Sequence, residues 1–379
     1  MADFFSSIKN IFKRGGDSVL GVDVGSSSIK IVQLRKSNGR AILETYGELS
    51  LGPLSTPALE IGRATNLQPD KLSQALSDLM RESNVTTHLC GISIPIQSSL
   101  VAVIEMPSLD NKELSQMVPI EARKYIPVPI SEVALDWWII PKDESSLKRE
   151  GATFSNVNQI NRISEKTDVL IVAIHNDALV KYQGIMSGAG LSSSFYEIEM
   201  FATMRAVLDQ ANTTQMVCDI GAGYTKLYVV EHGIIRNSHI INRGSQDITL
   251  ALARSFGIPA QEAELLKRNY GLSQKYDKRD IPAVVQPVLN FIVAEANRVI
   301  MSYQHKYNKS IARVVLTGGG ANLKGLHDYV KGSFQTDVVM ADPFARVDSP
   351  AFLEGTLRAA GPEFAVAIGV ALRRLQELN

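Results

Sequence analysis

Cysteine is nearly absent, with only Cys90 and Cys218 among 379 residues. Two thiols support neither a disulfide framework nor a zinc site built from sulfur, and they point to a reducing cytoplasm. An excess of one charge is lacking too: 39 Lys and Arg stand against 39 Asp and Glu. Without a net positive field there is no electrostatic reason to expect nucleic acid as a partner. No apolar run approaches the ~18 residues of a membrane-spanning helix. Residues 1–16 also lack an apolar core followed by a small-residue cleavage site. The expectation is a chain neither secreted nor integral to a membrane. What remains is an ordinary globular composition, 45% hydrophobic and 21% charged, long enough for two or three domains.

The first segment, Ala2 to Arg14, places Phe4, Phe5, Ile8, Ile11 and Phe12 near one helical face and Lys9, Lys13 and Arg14 towards the other. It reads either as a membrane-surface or partner-docking helix or as a terminal helix packed on its own domain. From there strands and helices alternate. Val19–Val24 and Ile29–Leu34 form a hairpin, and Asp70–Glu82 carries Leu72, Leu76 and Leu79 at helical spacing. Short strands at Leu89–Ile94 and Leu100–Met106 precede a helix through Glu113–Tyr125. Strands follow at Ala134–Ile140 and Asp168–Ile174, separated by a polar surface loop, 141–167. His175, Asn176 and Asp177 read as a strand end and a helix cap. Residues 85–190 are read as a compact inserted module. It divides the chain into an N-terminal segment (1–16), a first half (17–84), the module, and the remainder (191–379). The remainder repeats the earlier grammar: strands at 216–220, 225–230 and 234–241, a helix capped by Ser245 and stopped at Gly257, helices at 259–270 and 282–307, a strand, a glycine run and a last helix near 363–378.

One repeat organises the whole. Asp23-Val-Gly-Ser-Ser-Ser-Ile-Lys30 lies over Asp219-Ile-Gly-Ala-Gly-Tyr-Thr-Lys226, with Asp, Gly and Lys at matching offsets and an apolar strand on either side. Such turns let backbone N–H groups and hydroxyls approach an anion closely, because no long side chain intervenes. Two of them facing each other grip both ends of a polyphosphate. Asp23 and Asp219 would repel phosphate, so they suit Mg²⁺ held through water, while Lys30 supplies a charge to a phosphate oxygen. Thr317-Gly318-Gly319-Gly320-Ala321-Asn322 joins another strand to a helix start and suits a base or an adjacent phosphate. For either aspartate alone, a turn-stabilising role is the favoured reading; the duplication with the triple glycine reverses this in favour of the ligand.

These motifs, in this order, resemble the actin-like ATPases, which include actin, heat-shock chaperone ATPases, sugar kinases, MreB and FtsA. The resemblance implies an actin-like (ribonuclease H-like) pair of duplicated α/β domains around a nucleotide cleft, with ATP and Mg²⁺ as ligands. The implied contacts are Asp23, Gly25, Ser26, Ser27 and Lys30 in the first turn, and Asp219, Gly221, Gly223, Tyr224, Thr225 and Lys226 in the second. Gly318, Gly319, Gly320 and Asn322 belong to the glycine element. Gly244, with Asp247 and Thr249, is similar to a region that follows the second turn in the family. Ala263-Glu-Leu-Leu-Lys267 resembles the segment whose Glu and Lys contact the nucleoside, here Glu264 and Lys267; without the surrounding motifs a surface ion pair would be the preferred reading of that pair.

An α+β module inserted in the first half (1C-type) is similar to FtsA and to the PilM family of type IV pilus assembly proteins. The stretches Ile120–Pro129 and Val133–Trp138 resemble the latter. That resemblance implies a cytoplasmic ATP-binding scaffold, peripheral at the inner membrane, among other pilus assembly proteins. It also implies binding to the cytoplasmic N-terminal tail of PilN; a homo-oligomer stays open. Ile120, Tyr125, Ile126, Trp137 and Trp138 are candidates for the tail's groove, and each is equally readable as module core. No residue is identified as catalytic, so hydrolysis is expected to be slow or partner-dependent. An FtsA-like division protein and a sugar-kinase-like phosphotransferase are the alternatives. The first is disfavoured because the last helix reaches the end of the sequence without a linker and amphipathic anchor.

Overall fold

A computed structural model describes residues 18–377 except 56, 141–165, 210–212, 273–275 and 278. The Phe-rich segment 1–16 and most of the polar stretch 141–167 lie outside the described residues.

The apolar runs at the start of the chain build a five-stranded sheet in the order β3-β2-β1-β4-β8. Its strands are β1 (Ser18–Val24), β2 (Ser28–Ser37), β3 (Arg40–Ser50), β4 (Leu89–Ile94) and β8 (Ser192–Ile198). The second sheet runs β11-β10-β9-β12-β13, from β9 (Gln215–Ile220), β10 (Thr225–Glu231), β11 (Ile234–Ile241), β12 (Arg313–Thr317) and β13 (Asp337–Met340). Strand for strand the two sheets have the same order and the same senses. The central strand pairs antiparallel with the second and parallel with the fourth, which pairs parallel with the fifth. The duplication inferred from two eight-residue motifs thus extends to the whole of both sheets. Even the second hairpin corresponds. Asn38-Gly39 and His232-Gly233 each join their strands by two residues with positive φ, the turn whose twist matches that of the strands.

Helices α1 (Pro69–Glu82) and α3 (Asn176–Gly188) cover one face of the first sheet, where Leu72, Leu76 and Leu79 meet Tyr182, Ile185 and Met186. The other face is covered by α4 (Glu199–Val207) and α9 (Glu354–Glu377). Helix α9 comes unusually close to its neighbours. A Cβ on Gly21 of β1 would stand 2.0 Å from the Ala367 carbonyl oxygen, and one on Gly369 would stand 1.9 Å from that of Ala202 in α4. The second sheet is packed by α5 (Ser245–Phe256), α6 (Ala260–Tyr270) and α7 (Ile281–Tyr307), and the short α8 (Leu326–Lys331) follows β12. Contrary to the expectation that no such segment exists, α7 is long and apolar enough by length and composition to cross a membrane. Its apolar side supplies Val285, Leu289, Ile292, Ala296 and Tyr303 to the core of the second half.

The inserted module is smaller than 85–190. Strand β4 pairs with β1, and α3 packs in the first core, because their apolar residues complete that layer. The module proper is a three-stranded antiparallel sheet, β5 (Ser99–Pro107), β7 (Lys166–His175) and β6 (Val133–Ile139) in that order, with helix α2 (Asn111–Ala122). A reciprocal cap between Asp110 and Glu113 starts α2. Strand β7 is buried on both faces. Val169, Ile171 and Ala173 meet Leu114 and Val118 of α2. Leu170 and Val172 face the opposite way, into a core shared with Met200 and Met204 of α4 and with Val217, Tyr228 and Val230 of the second sheet. Arg236 of β11 fastens this contact, 2.9 Å from Asp168 of β7 and 2.9 Å from the buried Glu231. The module is therefore connected in sequence to the first half and packed against the second.

Cys90 on β4 and Cys218 on β9 are both buried, and burial pushes each thiol from 9.0 up to about 12. A pKa raised on folding means that the native state holds its proton longer, so the stability each thiol contributes is complete below pH 9 and is lost as pH rises towards 12. Alkylation by iodoacetamide at pH 8 is expected to be at least ~100-fold slower in the native protein than in denaturant. Comparable native and denatured rates, followed by mass spectrometry, would contradict that burial.

Candidate functional site

The two matched turns sit at equivalent ends of the two sheets and face one cavity of about 540 Å³ between the halves. They have the same internal geometry. The Gly25 N–H donates to the Ser28 carbonyl at 3.0 Å, and the Gly221 N–H donates to the Tyr224 carbonyl at 2.9 Å. A Cβ at either glycine would lie within 3.1 Å of the oxygen closing the turn, which is the physical reason for glycine there.

Of the residues expected from the sequence, the cavity is lined by Asp23, Gly25, Ser26, Ser27, Lys30, Asp219, Gly221, Tyr224, Lys226, Glu264, Lys267, Gly318, Gly319, Gly320 and Asn322. Three stand back from it. The fully buried Thr225 donates its hydroxyl to the Arg243 carbonyl. Gly244 supports the second turn from behind, where a Cβ would stand 2.3 Å from the Ala222 oxygen. Gly223 lines a small neighbouring recess with Ala64, Tyr224 and Gln246. Helix α5 is capped at Gly244, whose N–H donates to Asp247, rather than by Ser245. Likewise His175, and not Asn176 or Asp177, is the cap position of α3; the Asn176 side chain donates to the Ser131 carbonyl.

The charges in the cleft are mostly paired. Lys30 lies 3.1 Å from Glu48 and donates to Ser28 at 2.6 Å. Burial pushes the Glu48 carboxyl up, but Lys30 and Ser28 outweigh it and hold it below the ordinary range. Lys226, the counterpart of Lys30, is held between Glu199 at 2.5 Å and Asp219 at 3.1 Å. Burial would lower its pKa, yet the two carboxylates hold the ammonium well above the usual lysine range. Lys226 is therefore committed to two carboxylates of its own chain. Asp23 accepts from Ser93 at 2.8 Å, and burial pushes its carboxyl up against the pull of Lys30. Glu264 and Lys267 are not a surface pair. They lie 2.6 Å apart and are about 5% exposed, with Thr249 and Arg268 also donating to Glu264.

Two features escaped the sequence reading. Glu199, the first residue of α4, accepts from the Ile96 N–H at 2.9 Å as well as from Lys226; β8 and α4 went unread because Ser192–Val207 has no clean period. Segment 60–66 bridges the halves over the cleft. The Thr65 N–H donates to Ser26 of the first turn, the Ala64 N–H donates to Gln246 of α5, and a Cβ at Gly62 would stand 2.8 Å from Glu264.

The donor set fits a metal that keeps much of its water. Asp23 and Asp219 face the cavity from the two turns, and among the described residues no three His, Cys, Asp or Glu side chains form an all-protein cage. Mg²⁺ is typically held that way, through one or two carboxylates and the ligand's phosphates.

The expected groove residues separate. Ile120 (62% exposed), Tyr125 (45%) and Trp138 (49%) are at the surface of the module, whereas Ile126 is 6% exposed and Trp137 packs against the module core. Alternation along β6 explains the tryptophans, since Trp137 follows Val133 and Leu135 inward and Trp138 takes the other face. Ile126 is buried in the module, and Trp137 is partly buried against its core.

A family model described as type IV pilus assembly protein PilM matches residues 21–375. Cell division protein FtsA of Neisseria meningitidis serogroup B is 25% identical over 358 residues, 85% of this chain and 82% of that protein. Among solved structures, a PilM-PilN type IV pilus biogenesis complex superposes with a TM-score of 0.76 at 25% identity, over 94% of this chain and 98% of that one. The ethanolamine utilization protein EutJ from Carboxydothermus hydrogenoformans gives 0.53 at 18% identity, over 94% and 89%, a likeness of fold.

Proposed function

The chain belongs to the type IV pilus assembly protein PilM family, and on that premise we propose that it is an ATP-binding scaffold of the pilus machinery at the cytoplasmic face of the inner membrane. In this reading ATP lies in the cleft, and the cytoplasmic N-terminal tail of PilN docks on the module. The observation that supports it most is the pair of equivalent turns opening on one cavity. Ser26, Ser27 and Lys30 of the first turn, Gly221 and Tyr224 of the second, and Gly319 of the glycine run all line it. Asp23 and Asp219 would hold Mg²⁺ through water, and the ion, when bound, would neutralise phosphate charge. Turnover would be slow or partner-dependent. Glu199, a carboxylate of the cavity, has its two oxygens engaged by Lys226 and the Ile96 N–H, and neither is free to hold a water.

Titrating a peptide of the PilN tail into the protein by calorimetry, with and without ATP and Mg²⁺, tests the partner. Trp138→Ala is expected to weaken the peptide by about tenfold, since an exposed aromatic anchor contributes on that scale, with no change in thermal unfolding. A PilN lacking the tail that binds as tightly as the intact protein would remove the docking idea.

The FtsA relatives favour a second reading, a division protein. Loss of pili with normal septation in a deletion strain would decide for the first. A sugar-kinase-like role is tested by a coupled assay with common sugars.

A further inference from the structure

Resting on the nucleotide reading of the cleft, we infer that segment 60–66 is a latched strap whose release sets the rate at which nucleotide enters and leaves. The strap is stretched between two posts, Leu51 and Leu67, both in the core of the first half. No described residue between them belongs to a hydrophobic core. Ile61, the strap's one large apolar side chain, is 49% exposed. The base of the strap is fixed by a close approach. The Leu59 N–H donates to the Gly52 carbonyl at 2.9 Å, and a Cβ at Gly52 would stand 2.2 Å from the Glu60 carbonyl oxygen.

From that base the strap crosses to the second half and runs along the cleft. Gly62, at a φ of +83°, lies against α6, where its Cβ would meet Glu264 at 2.8 Å and Arg268 at 3.3 Å. Next, the Ala64 N–H donates to Gln246 of α5 at 3.2 Å, and the Ala64 methyl is 3.5 Å from where a Cβ of Gly223 in the second turn would be. The Thr65 N–H then returns to the first half and donates to the Ser26 carbonyl at 2.8 Å. Gly62, Thr65 and Asn66 line the cavity from this side. The strap thus reaches from α6 to both turns and covers that side of the cleft.

What holds it there is slight. The hydrogen bond from Ala64 to Gln246 fastens it across the cleft without support from a core, and segments held in this way open locally at small cost. Arg63 adds to that cost of closure. Its Nη1 is buried without a hydrogen bond among the described residues, the Glu60 carboxylate standing 3.8 Å off, and a buried donor without an acceptor disfavours the closed form. A ligand beneath such a cover waits for it to open. Gln246 lines the neighbouring recess and not the cavity, so it acts on the ligand through the strap, as a positioning residue.

Stopped-flow mixing with fluorescent methylanthraniloyl-ATP and Mg²⁺, followed by a chase with excess ATP, gives both rates. In Gln246→Ala, association and dissociation should each rise about fivefold, the scale of one hydrogen bond, with Kd within about twofold of wild type. Faster dissociation alone, with weaker Kd, would mean a contact to the ligand and would overturn the inference, as would unchanged rates. The reverse test staples the strap shut. Cβ atoms 3.5 Å apart suit a disulfide, so the double variant Ala64→Cys, Gly223→Cys should oxidise across the cleft, while Cys90 and Cys218 stay buried. Both rates should fall by about tenfold or more on oxidation, because the open form is then withheld, and recover with dithiothreitol. Failure of the bond to form would contradict the approach of strap to turn on which the inference rests. Exchange as fast in the oxidised as in the reduced protein would overturn the latch and leave the nucleotide reading standing. A wild type that binds neither the analogue nor ATP would overturn both.

Discussion

Replacing Asp23 with alanine is expected to lower Mg²⁺-dependent ATP affinity by about a hundredfold, the upper end of what loss of a group acting on a metal through water costs. Asp23 stands at the end of β1, faces the cavity and is oriented by Ser93. Its counterpart Asp219 is shared with Lys226, so the first aspartate is the less encumbered of the two. The fold should not suffer. Burial already pushes the Asp23 carboxyl up, which marks a native state that carries the charge at a cost. Thermal unfolding without ligand should therefore be unchanged or slightly higher, while the shift produced by ATP and Mg²⁺ disappears. Affinity retained in the variant would sink the assignment of the cleft.

Gly369→Val is expected to cost more than about 4 kcal/mol and to leave little folded protein at 37 °C, beyond the usual range for overpacking. The added atom meets backbone and not the end of a flexible side chain. Its Cβ alone would stand 1.9 Å from the Ala202 oxygen and 2.5 Å from the Ala202 carbonyl carbon. Relief requires α9 to move off α4, and α9 is held on its opposite side by Gly21 of β1 at an equally close approach. Soluble yield and denaturant midpoint measure the effect, and a midpoint within 0.5 M of wild type would be incompatible with this packing. Gly355, near the start of the same helix with nothing around it, is the control; Gly355→Ala should be neutral or mildly stabilising.

How much of this was legible in the sequence depends on where the signal lives. The turns were readable because glycine at a closed turn is a local requirement, and the duplication made two weak motifs one strong one. β3 was not read, since its edge position leaves Leu43 as its one buried residue and blurs the alternation. Asn38-Gly39 nevertheless announces it. Helix α9 was expected to start near Glu363 because Pro362 looks like a first helical residue; the helix begins at Glu354 and carries the proline inside. Pairing of Lys226 with Glu199 was beyond reach, because it joins residues 27 positions apart through a tertiary fold. The same holds for the two tryptophans: alternation separates them, but only packing against α2 decides which one points inward.

The way the module is mounted has a mechanical consequence. Its sheet leaves the first half after β4 and returns at α3, yet its inner face, Leu170 and Val172, is bedded on Tyr228 and Val230 of the second half and pinned by Asp168 to Arg236. Any rotation that opens the cleft must either slide that bedded face or carry the module along. Trp138 pairs with Leu170 across β6 and β7, so it stands on the same face of the module sheet as that bedded contact, half exposed beside it.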